Sequence, residues 1–75
     1  MEFCDKLRSL RKGRRPRLTQ EELAEKLNMT QRKISRMETG ETEPSLEDIR
    51  TICRYFNVSA DWLLGLEVSV PEVLR

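Results

Sequence analysis

The chain has 75 residues, 37% hydrophobic and 36% charged, which is the composition of one small, highly charged domain and not of a disordered chain. It has no apolar run of membrane-spanning length and no secretory signal, so we expect a cytoplasmic protein without a membrane partner. The net charge is +1, but residues 1–37 carry eleven Lys/Arg against five Asp/Glu and residues 38–75 carry three against eight.

The first predicted helix covers residues 2–12. Its apolar residues recur at helical spacing, namely Phe3, Leu7 and Leu10. Gly13 is expected to end this helix, and the basic loop 14–17 follows. Seven Lys/Arg lie within residues 6–17. This basic cluster is either a surface that approaches phosphates or simply a solvated face.

Residues 19–27 form the second predicted helix. Thr19 is a favourable N-cap, and Glu22 three residues later completes a capping box. The predicted inner face consists of Leu23, Ala24 and Leu27. Ala24 has the small side chain that a close crossing of two helices requires, although alanine is also a strong helix former in any position.

Residues 30–39 form the third predicted helix, after a tight turn at Asn28, which tolerates the left-handed backbone. Thr30 is expected to cap this helix and Gly40 to end it. One face carries Ile34 and Met37, and another carries Gln31, Arg32, Ser35 and Arg36. A short helix with this polar stripe matches the width and the hydrogen-bonding groups of the B-DNA major groove. Sequence-specific DNA binding is therefore the leading interpretation.

Two further helices are predicted in the acidic half. Ser45 caps the fourth, Asp48 stands at its capping-box position, and Asn57 is a plausible C-cap. The predicted buried stripe consists of Leu46, Ile49, Ile52, Cys53 and Phe56. A short fifth helix covers residues 60–64 and ends at Gly65.

The segment 66–75 differs from the rest of the chain. Leu66, Val68 and Val70 alternate with polar residues, a pattern typical of an extended arm. An exposed apolar arm favours dimerisation through this tail, whereas the alternative interpretation is a frayed terminus.

Four motifs occur in order: LTQEELAEKL at 18–27, TQRKISRMETG at 30–40, PSLEDIRTI at 44–52 and FNVSADWLLG at 56–65. Together they resemble the phage-repressor-like helix-turn-helix family, also called the Xre or Cro/repressor family. The resemblance implies an all-α, five-helix, lambda-repressor-like domain in residues 1–65, with its helix-turn-helix at about 19–39. It also implies a homodimer on double-stranded DNA with a near-palindromic operator, in which residues 30–39 form the recognition helix.

The resemblance further implies a role for individual residues. Gln31, Arg32, Ser35 and Arg36 match its base-facing positions, and Gln20, Thr30 and Lys33 are the expected phosphate contacts. Bidentate pairing of Arg with guanine and of Gln with adenine makes a mixed readout chemically reasonable. Glu38, just before Gly40, is expected to form a structural ion pair with Arg11.

The chain departs from the family pattern in two loops. Residues 41–43, Glu-Thr-Glu, are acidic where the family often has a basic residue, and they would repel phosphates. The basic insert before the second helix carries Arg14, Arg15 and Arg17. We hypothesise that these three arginines compensate by contacting the DNA backbone.

Other function classes are less well supported. With no histidine, one tyrosine and two cysteines, the chain offers no nucleophile–base pair and no zinc ligand set, so neither an enzyme nor a metal or cofactor is predicted. The serious alternative is an antitoxin or a protein-interaction module that uses the acidic C-terminal half. Repression by operator occupancy is the commoner outcome that the resemblance implies, and activation stays open.

Overall fold

The computed structural model describes residues 2–66, and the described part of the chain contains helices and no strand. The helices are α1 (Phe3–Gly13), α2 (Gln20–Leu27), α3 (Gln31–Thr39), α4 (Leu46–Phe56) and α5 (Ala60–Leu64). The predicted all-α, five-helix fold is confirmed. None of these helices has the length and apolar character needed to cross a membrane. Residues 67–75, most of the predicted dimerisation arm, lie outside the described residues.

A hydroxyl side chain begins each of the last four helices. It accepts a hydrogen bond from a backbone N–H in the first turn, and the four capping residues are Thr19, Thr30, Ser45 and Ser59. The pairs Thr19–Glu22 and Ser45–Asp48 complete reciprocal capping boxes. Each cap contributes about 0.5–2 kcal/mol, because the first N–H groups of a helix lack partners within it. The predicted starts of these four helices are therefore confirmed.

Left-handed residues end the same four helices, and they are Asn28, Gly40, Asn57 and Gly65. The end of α1 is different. Gly13 is the last residue of this helix, and Arg14 follows in an extended conformation with φ −68° while its N–H bonds to the Arg11 carbonyl. The prediction that the helix ends at Gly13 is confirmed, and the chain leaves α1 through an extended residue instead of a left-handed one.

The core collects apolar side chains from all five helices. Its fully buried members are Leu7, Leu23, Ile34, Met37, Ile52 and Leu63, and burying a side chain of this kind contributes about 1.5–3 kcal/mol. Leu46 does not belong to the core. It is 76% exposed, which corrects the predicted α4 stripe. Although its helical spacing matches that stripe, Leu46 is the first residue of α4 and its side chain is left uncovered by the other helices.

Two helices hold α3 in place. It packs against α2 and against α1, and its Ile34 and Met37 are completely buried. At the other end of the molecule α5 packs on α1 and α4. There the Lys6 ammonium donates to the Trp62 carbonyl and lies 5.0 Å from the centre of the Trp62 ring. The side of α3 opposite its polar face is therefore packed into the core.

Candidate nucleic-acid interface

The polar face of α3 points to solvent. Gln31, Arg32 and Arg36 are exposed and Ser35 is half-buried. Their spacing places them on one side of the helix, because residues three to four apart are neighbours on a helix surface. The opposite side is anchored in the core through Ile34, which is fully buried. The four predicted base-contacting residues thus form one accessible stripe, which we call the readout face.

Hydrogen bonds connect the first residues of α2 and α3. The side-chain amide of Gln31 donates from Nε2 to Oε1 of Gln20, over 2.8 Å. The amide of Gln20 in turn donates from Nε2 to Oε1 of Glu38, over 3.2 Å. Gln31 and Gln20, which the family resemblance predicts as a base contact and a phosphate contact, are therefore in direct contact with each other.

Glu38 is also held by the ion pair that the family resemblance implied. Arg11 donates from Nε and Nη2 to the two carboxylate oxygens of Glu38, over 2.7 and 2.9 Å. Glu38 is only 2% exposed. The hydrogen bond to Glu38 raises the pKa of Arg11 against the opposing effect of burial, and the negative charge of the carboxylate adds to the rise. Arg11 also donates to the Leu18 carbonyl, so one guanidinium joins α1, the loop before α2, and α3.

A surface hollow of about 530 Å³ opens beside these groups. Its lining consists of Arg11, Arg17, Leu18, Thr19, Gln20, Glu21 and Gln31. Free backbone N–H groups and the positive end of the helix dipole are found at the start of α2. Together with the Arg17 guanidinium and the Gln20 amide, they make the hollow suitable for an anion such as a DNA phosphate.

The other two arginines of the basic insert are placed differently. Arg14 donates to the Tyr55 carbonyl over 2.9 Å, and its guanidinium lies 4.6 Å from the centre of the Tyr55 ring and 5.1 Å from that of Phe56. It fastens the loop to α4. Arg15 is exposed and donates to the carbonyls of Lys12 and Arg14. Only Arg17 of the three lines the hollow beside Gln20.

Lys33 has a carboxylate partner at the edge of the readout face. Its ammonium lies 2.7 Å from Oδ1 of Asp48, and the Lys33 side chain remains 41% exposed. Burial would raise the pKa of Asp48, but hydrogen bonds with Lys33 and Ser45 outweigh it and lower the pKa below its ordinary value. Thr30 is exposed as well, and its hydroxyl accepts from the Lys33 backbone N–H. Its own O–H can still donate to a phosphate.

The loop after α3 is exposed and acidic. Gly40 is left-handed with φ +82°, which strains any residue with a side chain. Glu41, Thr42 and Glu43 follow in exposed positions, and no salt bridge neutralises the two carboxylates within the described residues. Negative charge beside the C-terminal end of α3 is unfavourable for a phosphate at that end of the readout face.

Several of these contacts were missed by sequence reasoning. Arg14 and Tyr55 are 41 residues apart, and Lys33 and Asp48 are 15 apart. Neither separation corresponds to a local pattern. The one available signal was that Arg32 and Lys33 are basic while Glu47 and Asp48 are acidic, and this pattern does not specify which residues pair.

Within residues 2–66, five helices, with the second and third joined by a tight turn and the outer face of the third exposed, define a small helix-turn-helix domain. A match to the family described as Helix-turn-helix covers residues 7–63. The chain belongs to this family of Xre-like helix-turn-helix proteins.

Two curated relatives have sequences similar to this chain. One is the HTH-type transcriptional activator BcrR of Enterococcus faecalis, 43% identical over 67 residues, which cover 89% of this chain and 32% of that protein. The other is the uncharacterized HTH-type transcriptional regulator YobD of Bacillus subtilis (strain 168), 36% identical over 74 residues, 97% of this chain and 64% of that protein. The chain thus spans about one third and just under two thirds of their lengths. No solved structure gives a significant match.

Proposed function

We propose that this chain binds double-stranded DNA in a sequence-specific manner and thereby regulates transcription. The observation that carries the proposal is the readout face, defined above as Gln31, Arg32, Ser35 and Arg36 on a helix whose opposite side is buried. The family and the names of the two relatives support the same assignment. An α-helix of this size fits the B-DNA major groove.

Base recognition follows from the chemistry of the readout face. Arg32 and Arg36 carry guanidinium groups that can donate two hydrogen bonds to O6 and N7 of guanine. Gln31 can pair with adenine through one donor and one acceptor, and Ser35 suits several bases. A good bidentate pair contributes about 1–3 kcal/mol of discrimination, so this face has enough groups to recognise a short half-site.

Phosphate contacts then set the orientation of the domain on the duplex. We assign them to Gln20 and Arg17 at the hollow, to Thr30 and Lys33 at the start of α3, and to Arg15 in the exposed part of the loop. Arg14 was hypothesised from the sequence as a further contact. Its stacking on Tyr55 and its bond to the Tyr55 carbonyl occupy the guanidinium in the free protein.

Homodimer formation would place two readout faces in successive major grooves, about 34 Å apart on one side of the duplex. Leu64 is 40% exposed and Leu66 is 58% exposed. They follow each other at the C-terminal end of the domain, next to the apolar tail sequence. We propose that this end forms the dimer contact, which gives the near-palindromic operator its symmetry.

The sign of regulation has two candidates. Occupancy of an operator blocks polymerase, so we propose repression as the default mechanism. The 43% identical relative is named as a transcriptional activator, which favours activation as the second candidate. The exposed Glu41 and Glu43 are available to a protein partner in either case, including the partner of an antitoxin-type regulator.

Selection of duplexes from a randomised DNA pool, at near-physiological salt, tests the proposal. We expect enrichment of an inverted repeat whose half-sites are about one helical turn apart. Purely salt-sensitive binding without sequence enrichment would leave only the electrostatic interaction and would contradict specific recognition. In that outcome the search would move to a protein that contacts the acidic half.

A further inference from the structure

Glu38 is connected to the readout face by two successive hydrogen bonds, through Gln20 to Gln31. We propose that Glu38 sets the hydrogen-bonding polarity of Gln31 and so makes adenine the preferred base at the position that Gln31 contacts. This inference rests on the DNA recognition proposed above. It gives Glu38 a positioning role in specificity, in addition to its structural pairing with Arg11.

The first step is the chemistry of a carboxylate. An ionised carboxylate only accepts hydrogen bonds, whereas a glutamine amide both donates and accepts. Arg11 fixes both oxygens of Glu38 by bidentate donation, and the group is buried. The Gln20 amide must therefore direct its NH₂ at Glu38. The reversed orientation would place two acceptors against each other in a site from which water is largely excluded.

The second step transmits this orientation to α3. With its NH₂ turned toward Glu38, to which one N–H donates, Gln20 presents its carbonyl oxygen to Gln31 and can only accept there. Gln31 responds by donating from Nε2, over 2.8 Å. Here the carboxylate at the end of the chain of hydrogen bonds decides the orientation of both amides.

The third step concerns the hydrogen-bonding groups of Gln31 that remain available to a base. One N–H points to Gln20, so one N–H and the carbonyl oxygen remain for a base. That donor–acceptor pattern matches N7 and N6–H₂ of adenine in the major groove. If the Gln31 amide were reversed, its oxygen would accept a hydrogen bond from Gln20 and both of its N–H groups would face the base. Two donors match the N7 and O6 acceptors of guanine instead.

The orientation of the Gln31 amide affects base preference on DNA binding because the groove then excludes water. Gln31 is exposed in the free protein, so water can replace its bond to Gln20 at little cost. In the closed groove water is displaced, and a mismatched orientation leaves a polar group without a partner. A good bidentate contact discriminates between bases by roughly 5- to 150-fold, and the polarity of Gln31 should control a preference of this size.

The experiment begins with the operator that wild-type protein selects. The position read by Gln31 is the one whose base preference Gln31→Ala abolishes. At that position we measure the affinity for adenine relative to guanine in wild type and in Glu38→Gln, whose amide side chain can both donate and accept. We expect Glu38→Gln to lower the adenine-to-guanine ratio about tenfold or more, with the preferences read by Arg36 retained. An unchanged ratio in the folded variant would overturn the proposal.

Arg11→Lys is the matched control, because it removes the bidentate pair and keeps the carboxylate. It should lose stability, as Glu38→Gln does, while its adenine-to-guanine ratio stays at the wild-type value. A ratio that falls equally in Arg11→Lys would show that loosening of the fold alone changes the preference, and this too would overturn the positioning role.

A second measurement keeps the proposal falsifiable if Glu38→Gln does not fold. In isotope-labelled wild-type protein bound to its operator, scalar couplings across hydrogen bonds report the direction of each bond. We expect coupling from Gln20 Nε2 to the Glu38 carboxyl carbon and from Gln31 Nε2 to the Gln20 amide carbon. Coupling in the reverse sense, or none between these groups, would contradict the proposal. If wild type selects no sequence, DNA recognition itself fails. A selected operator with unchanged adenine preference in Glu38→Gln rejects only the role of Glu38.

Discussion

Arg11 and Glu38 form a bidentate ion pair across the interior side of the helix-turn-helix, with donor–acceptor distances of 2.7 and 2.9 Å. The side chains are 11% and 2% exposed. The pair joins α1 to the end of α3 that precedes Gly40, and Gln20 adds a third hydrogen bond to the same carboxylate. The position of the readout face therefore depends on a charge pair that water hardly reaches.

Removing one partner of this pair should be strongly destabilising. We expect Arg11→Met to lower the free energy of unfolding by about 3–5 kcal/mol, because the Glu38 carboxylate would remain buried without a counter-charge. The exposed pair Arg50–Glu47, at 3.6 Å, provides the control, and Arg50→Ala should cost about 0–1 kcal/mol. Urea unfolding followed by circular dichroism measures both changes. Equal losses in the two variants would contradict a special role for the buried pair.

Acid should weaken the contact between α3 and the start of α4. Hydrogen bonds with Lys33 and Ser45 outweigh the effect of burial and lower the pKa of Asp48 below its ordinary value of 3.8. The unfolded chain therefore takes up this proton first as the pH falls. The stabilisation from Asp48 is complete above its unfolded pKa and is lost as the pH falls through the lower pKa of the folded state.

We expect Asp48→Asn to lower the free energy of unfolding at neutral pH by about 1–3 kcal/mol, through loss of the ion pair and weakening of the cap. Its stability should also fall less than that of wild type between neutral and strongly acidic pH. Lys33→Met is the matched variant, since it keeps the carboxyl and removes the charged partner. Urea titrations at a series of pH values compare the three proteins. Parallel curves for wild type and Asp48→Asn would count against the assignment.

The two arginines Arg17 and Arg14 should behave differently although both belong to the basic insert. Arg17 lines the hollow beside Gln20, so Arg17→Ala should reduce the log–log salt dependence of DNA binding by up to about 0.9, with stability unchanged. Arg14 stacks on Tyr55 and Phe56, so Arg14→Ala should cost about 1–3 kcal/mol of stability. Binding titrations at several salt concentrations and thermal unfolding separate the two effects. A full salt slope in Arg17→Ala would remove Arg17 from the phosphate contacts.

Arg36 should contribute to base recognition and not only to charge. We expect Arg36→Ala to weaken binding to the selected operator by about 1–3 kcal/mol and to relax the preference at one base position. Arg54 on α4 is also exposed and lies outside the readout face, so Arg54→Ala serves as the control of equal charge. Titrations against operators with single base changes provide the measurement. A uniform loss over all operators would identify Arg36 as a phosphate contact instead.

The exposed leucines at the C-terminal end should be required for dimerisation. We expect Leu64→Glu with Leu66→Glu to convert the proposed dimer into monomers, because two charges would be buried without partners at the contact. Leu46→Glu is the matched control, since Leu46 is 76% exposed but belongs to the start of α4. Sedimentation equilibrium measures the association. A dimer that survives the double change but dissociates in the control would place the interface at α4.

The limits of the helices could be predicted from the sequence because they depend on short-range chemistry. Thr19, Thr30 and Ser45 cap N–H groups within three residues of themselves, and Asn28 adopts the left-handed backbone at a helix end. Such contacts are the same wherever the helix packs. Leu46 shows the limit of periodicity: its spacing is correct for the buried face, but exposure depends on which helix lies opposite.

The readout face was also predicted from the chain, because helical spacing alone puts Gln31 and Ser35 on one side of α3. What the sequence by itself determined was therefore the five helices, their caps and the side of α3 that is free to meet DNA. Only the tertiary structure decided that Arg14 stacks on α4 while Arg17 faces the hollow, and that Glu38 reaches Gln31 through Gln20. These contacts join residues distant in the chain, and such contacts exist only after the packed core has fixed the relative positions of the helices.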